Sequence, residues 1–141
     1  MKKQKAKKDA PIMGMPEYHW NNRVVLITED EEVNFYYLKT LLQRADAKVL
    51  RAKNGKEAVE IIAKHKGAID LVLMDLNMPV MDGYEALRII KSLHPSIPII
   101  AQTAYTMNND RSRCLEAVFN DYIAKPINRL ALYRMVNDNL S

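Results

Sequence analysis

Ile69-Asp70-Leu71-Val72-Leu73-Met74-Asp75 is a nearly continuous apolar run that ends in a carboxylate, and the polar turn Asn77-Met78-Pro79 follows it. Apolar runs of this length are typical of parallel strands that are covered on both faces. The run predicts a strand over residues 69–74. Ligands of open parallel sheets bind outside the carboxyl ends of the strands. Asp75 is therefore predicted at the rim of a sheet, where loops and ligands meet.

Two other predicted strands bring charged side chains to the same rim. The first runs into Glu29 and Asp30, and a late strand, Tyr122-Ile123-Ala124, runs into Lys125 and a proline. Carboxylate oxygens are ligands that a small hard cation such as Mg²⁺ prefers, and a lysine can pair with a phosphoryl oxygen as a point charge. The three strand ends together predict a site that handles a metal ion and a phosphoryl group.

Strand and helix patterns alternate five times from Arg23 onwards. Short loops between five such units predict a doubly wound α/β fold, in which helices cover both faces of a five-stranded parallel sheet. The third helix is predicted to begin at the capping sequence Asp82-Gly83-Tyr84-Glu85. The predicted strands are 23–28, 48–52, 69–74, 97–102 and 121–124, the fourth helix is about 107–117, and the last helix starts at Asn128. The predicted core residues of the other helices are Val33, Tyr37, Leu38, Leu41, Leu42 and Ala45, then Ala58, Val59 and Ile62, then Leu87, Ile90 and Leu93, and finally Leu132, Tyr133, Val136 and Leu140.

The composition excludes several classes of protein. The 141 residues are 48% hydrophobic and 27% charged, as in an ordinary globular domain, and no apolar stretch is long enough to span a membrane. Cys114 is the single cysteine, which excludes an internal disulfide and fits a reducing cytoplasm. The chain contains neither a Walker A sequence nor a G-x-G-x-x-G, so any phosphate chemistry must come from side chains and a metal.

The net charge of +4 is concentrated in the first residues of the chain. Residues 1–20 contain five lysines against two carboxylates, whereas residues 21–141 contain 16 basic and 15 acidic side chains. A domain that binds nucleic acid would carry a basic stripe on the fold itself. We therefore predict a basic, flexible tail over residues 1–21, a folded domain over 22–141, and no nucleic-acid partner. The sequence leaves open whether Tyr18 and Trp20 pack against that domain.

The motifs at the strand ends resemble those of the receiver domain of two-component response regulators. They are Glu29-Asp30, the segment from Asp75 to Gly83, Thr103-Ala104, and the segment from Tyr122 to Pro126, in that order along the chain. The resemblance covers about residues 23–140. It implies a flavodoxin-like (βα)₅ fold with the strand order 2-1-3-4-5.

The resemblance also implies a role for each matching residue. Asp75 would be the phosphoacceptor, Lys125 would pair with the phosphoryl group, and Thr103 would turn its hydroxyl towards it. Tyr122 would be the aromatic switch that moves with Thr103. Mg²⁺ would be held by Glu29, Asp30, Asp75 and the backbone carbonyl of Asn77. The acidic pair departs from the commoner Asp-Asp, and the longer Glu29 would reach the metal through water. The Lys125-Pro126 bond would be cis, as in the family.

The expected function is that of a signalling module. It would accept a phosphoryl group from a histidine kinase or a histidine phosphotransfer protein, hydrolyse it only slowly, and change a surface that binds another protein. The Glu-Asp pair and the sequence after Thr103 resemble receivers attached to hybrid kinases. We expect a cytoplasmic monomer or weak dimer with no membrane partner. The sequence names neither the kinase nor the downstream target.

Two other functions remain open at this stage. A receiver-like module could bind its partner without using phosphate at all. A phosphohydrolase with an aspartyl nucleophile would need a second acid, usually two residues after the nucleophile, to protonate the leaving group. That position is Asn77, which does not supply a proton in this way, so the sequence favours the signalling module.

Overall fold

The structure, a computed structural model of the chain, describes residues 17–65, 67–104 and 119–140. All five strands are parallel and pair in the order β2-β1-β3-β4-β5, as predicted. The helix predicted at about 107–117 lies outside the described residues. The strands are β1 (Val24–Thr28), β2 (Lys48–Ala52), β3 (Leu71–Asp75), β4 (Ile99–Thr103) and β5 (Asp121–Ala124), and the described helices are α1 (Glu32–Arg44), α2 (Gly55–Lys64), α3 (Gly83–Leu93) and α4 (Arg129–Leu140).

The three central strands, β1, β3 and β4, are largely apolar in sequence. Every residue of β3 and β4 is buried, whereas the edge strands β2 and β5 are largely half-buried. Both β3 and β4 begin two residues later than predicted and include one more residue at their carboxyl ends. Asp75 and Thr103 are therefore the last residues of their strands, in ladder register with their neighbours, rather than the first residues of loops.

The sheet separates two hydrophobic clusters. Helices α1 and α4 pack on one face, over residues such as Ile27, Leu73 and Ile100. Helices α2 and α3 pack on the other face, over residues such as Leu26 and Val72. None of the described helices has the length and apolar character that a membrane crossing requires. The layered order follows from the apolar runs, because a strand that is hydrophobic on both faces must be covered twice.

Helix α1 buries a different face from the one predicted. Val33 and Tyr37, both predicted in the core, are 80% and 40% exposed, and Phe35 is buried instead. Residues two apart on a helix point about 200° apart, so burying Phe35 turns both of its predicted neighbours towards solvent. Leu38, Leu41, Leu42 and Ala45 are buried as predicted.

The helices begin where the sequence contains capping side chains. Asn54, Asp82 and Asn128 each accept a hydrogen bond from the backbone N–H three residues on, which satisfies a donor that the first helical turn leaves unpaired. The buried residues of α4 are those predicted. Leu93 was predicted in the core and is 45% exposed, because α3 ends at this residue and the chain turns away at His94.

Trp20 packs into the core although it precedes the first strand. Its ring is 5% exposed, lies 5.8 Å from the ring of Tyr133 on α4, and donates a hydrogen bond from Nε1 to Oδ1 of Asn137 at 3.0 Å. Its backbone N–H also donates to the carbonyl of Ala45. The packed part of the chain therefore includes a residue that the sequence placed in the tail.

Candidate functional site

The site is a group of acidic side chains at the carboxyl edge of the sheet. Glu29 and Asp30 follow β1, and Asp75 ends β3. Each offers a carboxylate oxygen that lies within 4.8 Å of the others. Glu29 is fully buried and Asp75 is 3% exposed, whereas Asp30 faces solvent. The structure thus brings together the three carboxylates that the sequence placed at this rim.

Lys125 pairs with both buried carboxylates. Its Nζ lies 3.2 Å from Oδ2 of Asp75 and 3.4 Å from Oε1 of Glu29. The peptide bond between Lys125 and Pro126 is cis, and the backbone N–H of Lys125 donates to the carbonyl of Thr103 at 2.8 Å. One cation therefore faces two buried anions, with an exposed third carboxylate beside them.

The close packing of these charges moves their pKa values apart. Burial raises the pKa of Asp75 from its ordinary value of 3.8 to about 6, and the nearby Glu29 adds to this, although the Asn77 N–H and Lys125 act against it. Burial also acts to raise the pKa of Glu29, but hydrogen bonds with Asn34 and Asp75 and the charge of Lys125 bring it below its ordinary value. Burial acts to lower the pKa of Lys125, but the two carboxylates raise it above its usual range.

The loop after β3 holds Asp75 at its end. The backbone N–H of Asn77 donates to Oδ1 of Asp75 at 3.1 Å. A Cβ atom at Gly83 would lie 2.7 Å from the carbonyl oxygen of Asp75, so only glycine lets α3 begin this close to the strand end. The carbonyl of Asn77 as a metal ligand stays a prediction.

Thr103 and Tyr122 lie on β4 and β5, which are neighbours in the sheet. Thr103 ends β4 and is 2% exposed, in register with Ala124 of β5. Tyr122 is half-buried and packs against a small cluster that includes Leu76 and Ala101. Their roles as a switch stay predictions.

Comparison with known proteins decides the family. The family model described as the response regulator receiver domain matches residues 25–137. The chain belongs to this family. The receiver domain is similar in structure to the receiver domain of the sensor histidine kinase PA1611 from Pseudomonas aeruginosa, which has a magnesium ion coordinated in its active-site cleft. The TM-score is 0.78 at 35% identity, over 84% of this chain and 98% of that one.

Its relatives include both large and small signalling proteins. It is 37% identical over 123 residues to hybrid signal transduction histidine kinase I of Dictyostelium discoideum, which covers 82% of this chain and 7% of that protein. It is 34% identical over 105 residues to the polar-differentiation response regulator DivK of Brucella anthropi, which covers 73% of this chain and 84% of that protein. The receiver domain thus spans a small fraction of the hybrid kinase and most of the small regulator.

Two polar side chains next to Glu29 were not predicted from the sequence. Asn34 of α1 donates to Oε1 of Glu29 at 2.5 Å and to Oε1 of Gln102 at 3.0 Å, and Gln102 is fully buried in β4. The signal for Gln102 was present, because it interrupts an otherwise apolar strand, Ile99-Ile100-Ala101-Gln102. A buried polar residue in such a strand needs a partner.

Arg51 of β2 was also missed, and it supports the loop that carries the acidic pair. Its guanidinium donates to the carbonyl of Glu29 from Nε at 3.2 Å and from Nη2 at 3.1 Å. Its Nη1 pairs with Glu32 at 2.6 Å, and its cationic carbon lies 4.3 Å from the ring centre of Phe35. One side chain thus ties the acidic loop to both the sheet edge and α1.

We expect Arg51→Met to lower the free energy of unfolding by about 1–2 kcal/mol, because the loop carbonyl loses a charged donor while the stem still packs on Phe35. Arg51→Lys should recover only part of the loss, since an ammonium lacks the planar fork. Urea unfolding in chelator measures both variants, with Arg88→Met on the exposed face of α3 as the control. Equal stability of Arg51→Met and the control would show that the loop does not depend on Arg51.

Proposed function

We propose that this receiver domain accepts a phosphoryl group on Asp75 from a histidine kinase or a histidine phosphotransfer protein. The observation that carries the proposal is the pairing of two buried carboxylates, Glu29 and Asp75, with Lys125 at the carboxyl ends of three parallel strands. Buried like charges that share one cation disfavour a purely structural role, because an apolar or neutral side chain would be more stable there.

Each group has a chemical part in the transfer. A carboxylate oxygen of Asp75 would attack the phosphorus of a phosphohistidine, forming an acyl phosphate as the bond from phosphorus to the imidazole nitrogen breaks. Lys125 is already 3.2 Å from that carboxylate, so it can pair with a phosphoryl oxygen with little movement. Reaction beyond this step would be slow hydrolysis of the acyl phosphate, with no turnover of an external substrate.

The acidic cluster fits a magnesium ion. Its donors are all oxygen, as a small hard cation requires, and the exposed Asp30 gives access from solvent. Asp30 and Asp75 would hold the ion together with the carbonyl of Asn77, and Glu29 would act through water. When bound, Mg²⁺ neutralises charge on the phosphoryl oxygens during transfer. It would also offset the repulsion between the carboxylates.

The response would pass through the strand end next to the acceptor. We propose that Thr103 turns towards the phosphoryl group and that Tyr122 follows, since Thr103 ends the strand beside β3, and Tyr122, on the next strand of the sheet, is only half-buried. Phosphorylation adds charge and strong acceptor oxygens at one point, which can shift a two-state surface. That surface would bind the downstream protein.

The similar proteins support a partner of the phosphotransfer type. One similar structure is the receiver domain of the Saccharomyces cerevisiae response regulator Ssk1 in complex with the histidine phosphotransfer protein Ypd1. The TM-score is 0.75 at 31% identity, over 84% of this chain and 89% of that one. We propose a donor of this class, acting in the cytoplasm.

The decisive experiment is intact-protein mass spectrometry after incubation with acetyl phosphate, with Mg²⁺ or with chelator. We expect one added phosphoryl group only in Mg²⁺. Chemical reduction of the acyl phosphate, followed by fragmentation of the protein, should locate the modification at Asp75. Beryllofluoride binding should likewise require Mg²⁺. An adduct of equal yield in chelator would contradict the metal site, and the absence of both adduct and beryllofluoride binding would favour a phosphate-independent binding module. Steady release of phosphate from a generic phosphate ester would favour a hydrolase.

A further inference from the structure

The amides of Asn34 and Gln102 form a hydrogen-bonded chain that ends on Glu29. Nδ2 of Asn34 donates to Oε1 of Glu29 at 2.5 Å and to Oε1 of Gln102 at 3.0 Å. Glu29 and Gln102 are fully buried, and Asn34 is half-buried. Glu29 thus meets an α1 side chain that is itself oriented by a strand two positions away in the sheet.

The charge on Glu29 fixes the direction of both amides. An ionised carboxylate only accepts hydrogen bonds, so Asn34 must present its NH₂ group to Glu29. That NH₂ group then requires an oxygen from Gln102, which turns the Gln102 NH₂ group away. Nε2 of Gln102 has no hydrogen-bond acceptor among the residues that the structure describes. The hydrogen bond that the Gln102 side chain does make in the described part of the chain is thus the one that orients Asn34.

The chain closes into a ring through the backbone of β4. Gln102 directly precedes Thr103, whose carbonyl accepts a hydrogen bond from the backbone N–H of Lys125 at 2.8 Å. Nζ of Lys125 returns to the same Oε1 of Glu29 that Asn34 contacts. That oxygen therefore has two partners, Asn34 and Lys125, and each of them is hydrogen-bonded to a residue at the carboxyl end of β4.

We infer that Asn34 and Gln102 are positioning residues that hold the Glu29 carboxylate in the orientation in which it serves the metal site. This inference rests on the proposed function and extends it to side chains that contact neither the phosphoacceptor nor, on our assignment, the metal. Glutamate has one more side-chain torsion than aspartate, so the carboxylate of Glu29 needs this support more than that of the shorter residue would. Loss of a group that orients a metal-site side chain typically costs about 10- to 100-fold in metal affinity.

Gln102→Leu and Asn34→Ala test the inference through the dissociation constant for Mg²⁺. Isothermal titration calorimetry and NMR of the amide groups measure this dissociation constant without any phosphodonor. We expect each variant to weaken Mg²⁺ binding about tenfold, as is typical when the support of a ligand is lost. The double variant should bind no more weakly than Asn34→Ala alone, because both substitutions act through Glu29.

A second readout follows the amides themselves. In the unsubstituted protein the side-chain NH₂ signals of Asn34 should shift on addition of Mg²⁺, and this shift should disappear in Glu29→Gln. A purely structural role for Asn34 would leave the NH₂ signals unmoved by the metal.

Thr28→Val is the matched control. The Thr28 hydroxyl is buried without a hydrogen-bond partner in the described part of the chain, as is Nε2 of Gln102, but the side chain lies on the opposite face of the sheet from Glu29. Thr28→Val should leave the Mg²⁺ dissociation constant within about twofold of the original value. A change as large as that in Gln102→Leu would show that any loss of buried polarity has the same effect, and would overturn the inference.

The outcomes separate this inference from the proposed function. If the unsubstituted protein binds Mg²⁺ and is phosphorylated, and both variants bind Mg²⁺ equally well, the positioning role is wrong and the proposed function stands. If the unsubstituted protein binds no Mg²⁺, both are wrong. Circular dichroism checks folding, and if Gln102→Leu does not fold, the result for Asn34→Ala decides alone in either direction.

Discussion

Asp75→Asn is expected to abolish phosphorylation and, in the absence of metal, to stabilise the protein at neutral pH. Asparagine has the shape of aspartate but no nucleophilic carboxylate, so the phosphoryl adduct should disappear if Asp75 is the proposed acceptor. The gain in stability follows from burial, which raises the pKa of Asp75 from 3.8 to about 6. A shift of this size corresponds to about 3 kcal/mol, as an upper bound, at a pH where the carboxylate is charged.

The gain should depend on pH in a defined direction. The folded state holds the proton of Asp75 more tightly than the unfolded state, so the original protein loses stability as pH rises from about 4 to 6. The stability of Asp75→Asn should lack this decrease. The two proteins should therefore differ most above pH 6 and least below pH 4. Urea unfolding in chelator at pH 4, 5, 6 and 7.5 measures the difference.

Asp138→Asn is a suitable control because Asp138 is exposed on α4, far along the chain from the rim. Its stability should stay within about 0.5 kcal/mol of the original at every pH.

Addition of Mg²⁺ should stabilise the original protein by linkage and leave Asp75→Asn nearly unchanged. A loss of stability in Asp75→Asn at pH 7.5 would mean that the pair with Lys125 outweighs the burial of the carboxylate.

Lys125→Met is expected to have the opposite effect on stability. It leaves Glu29 and Asp75 buried without their cation, and breaking a buried ion pair in this way is strongly destabilising. We expect a loss of roughly 2–4 kcal/mol at pH 8, below the largest known effects because Lys125 is partly exposed. Phosphorylation by acetyl phosphate should slow on the order of a hundredfold, since a positioned charge is lost.

The loss in Lys125→Met should be smaller at pH 5 than at pH 8. Without the lysine, the pKa of Asp75 rises further, and the neutral acid no longer needs a cationic partner. Lys56→Met, at an exposed position of α2, serves as the control and should show no such pH dependence. A loss of equal size at both pH values would indicate that Lys125 acts by packing rather than by charge.

The sequence predicts the sheet well because its central strands are apolar on both faces. Such runs leave little choice of secondary structure, and parallel connections then bring Asp75 and Lys125 to one edge. The acidic pair, Asp75 and Lys125 are therefore predictable as a group. The distances between these side chains are not predictable in the same way, because the order of residue types along the chain does not specify the separation of two charged atoms.

The errors in α1 have a specific cause. Val33 and Tyr37 are four residues apart, but Phe35 precedes Leu38 by three residues and Leu42 by seven, so helical spacing alone permits more than one phase at the start of the helix. The structure buries Phe35 under the cation of Arg51 and leaves the first pair exposed. Long-range contacts of this kind decide between phases that local periodicity leaves equivalent.

The polar residues around Glu29 were missed for a related reason. Asn34 sits on a helix where a polar residue is unremarkable, and its meaning comes from Gln102, which lies 68 residues further along the chain. Gln102 alone could have been found, because it is polar within a buried strand. The pairing itself depends on the packing of α1 against the sheet, which no short motif encodes.

Trp20 has a practical consequence for studies of this domain. It is the single tryptophan of the chain, and it is fixed to α4 through Tyr133 and Asn137. Trp20 precedes β1, and the acidic pair of Glu29 and Asp30 follows β1. The five residues of this strand therefore place about 17 Å between them. Intrinsic fluorescence should therefore report whether the last helix remains docked. Occupancy of the acidic rim calls for a probe placed at the other end of the molecule.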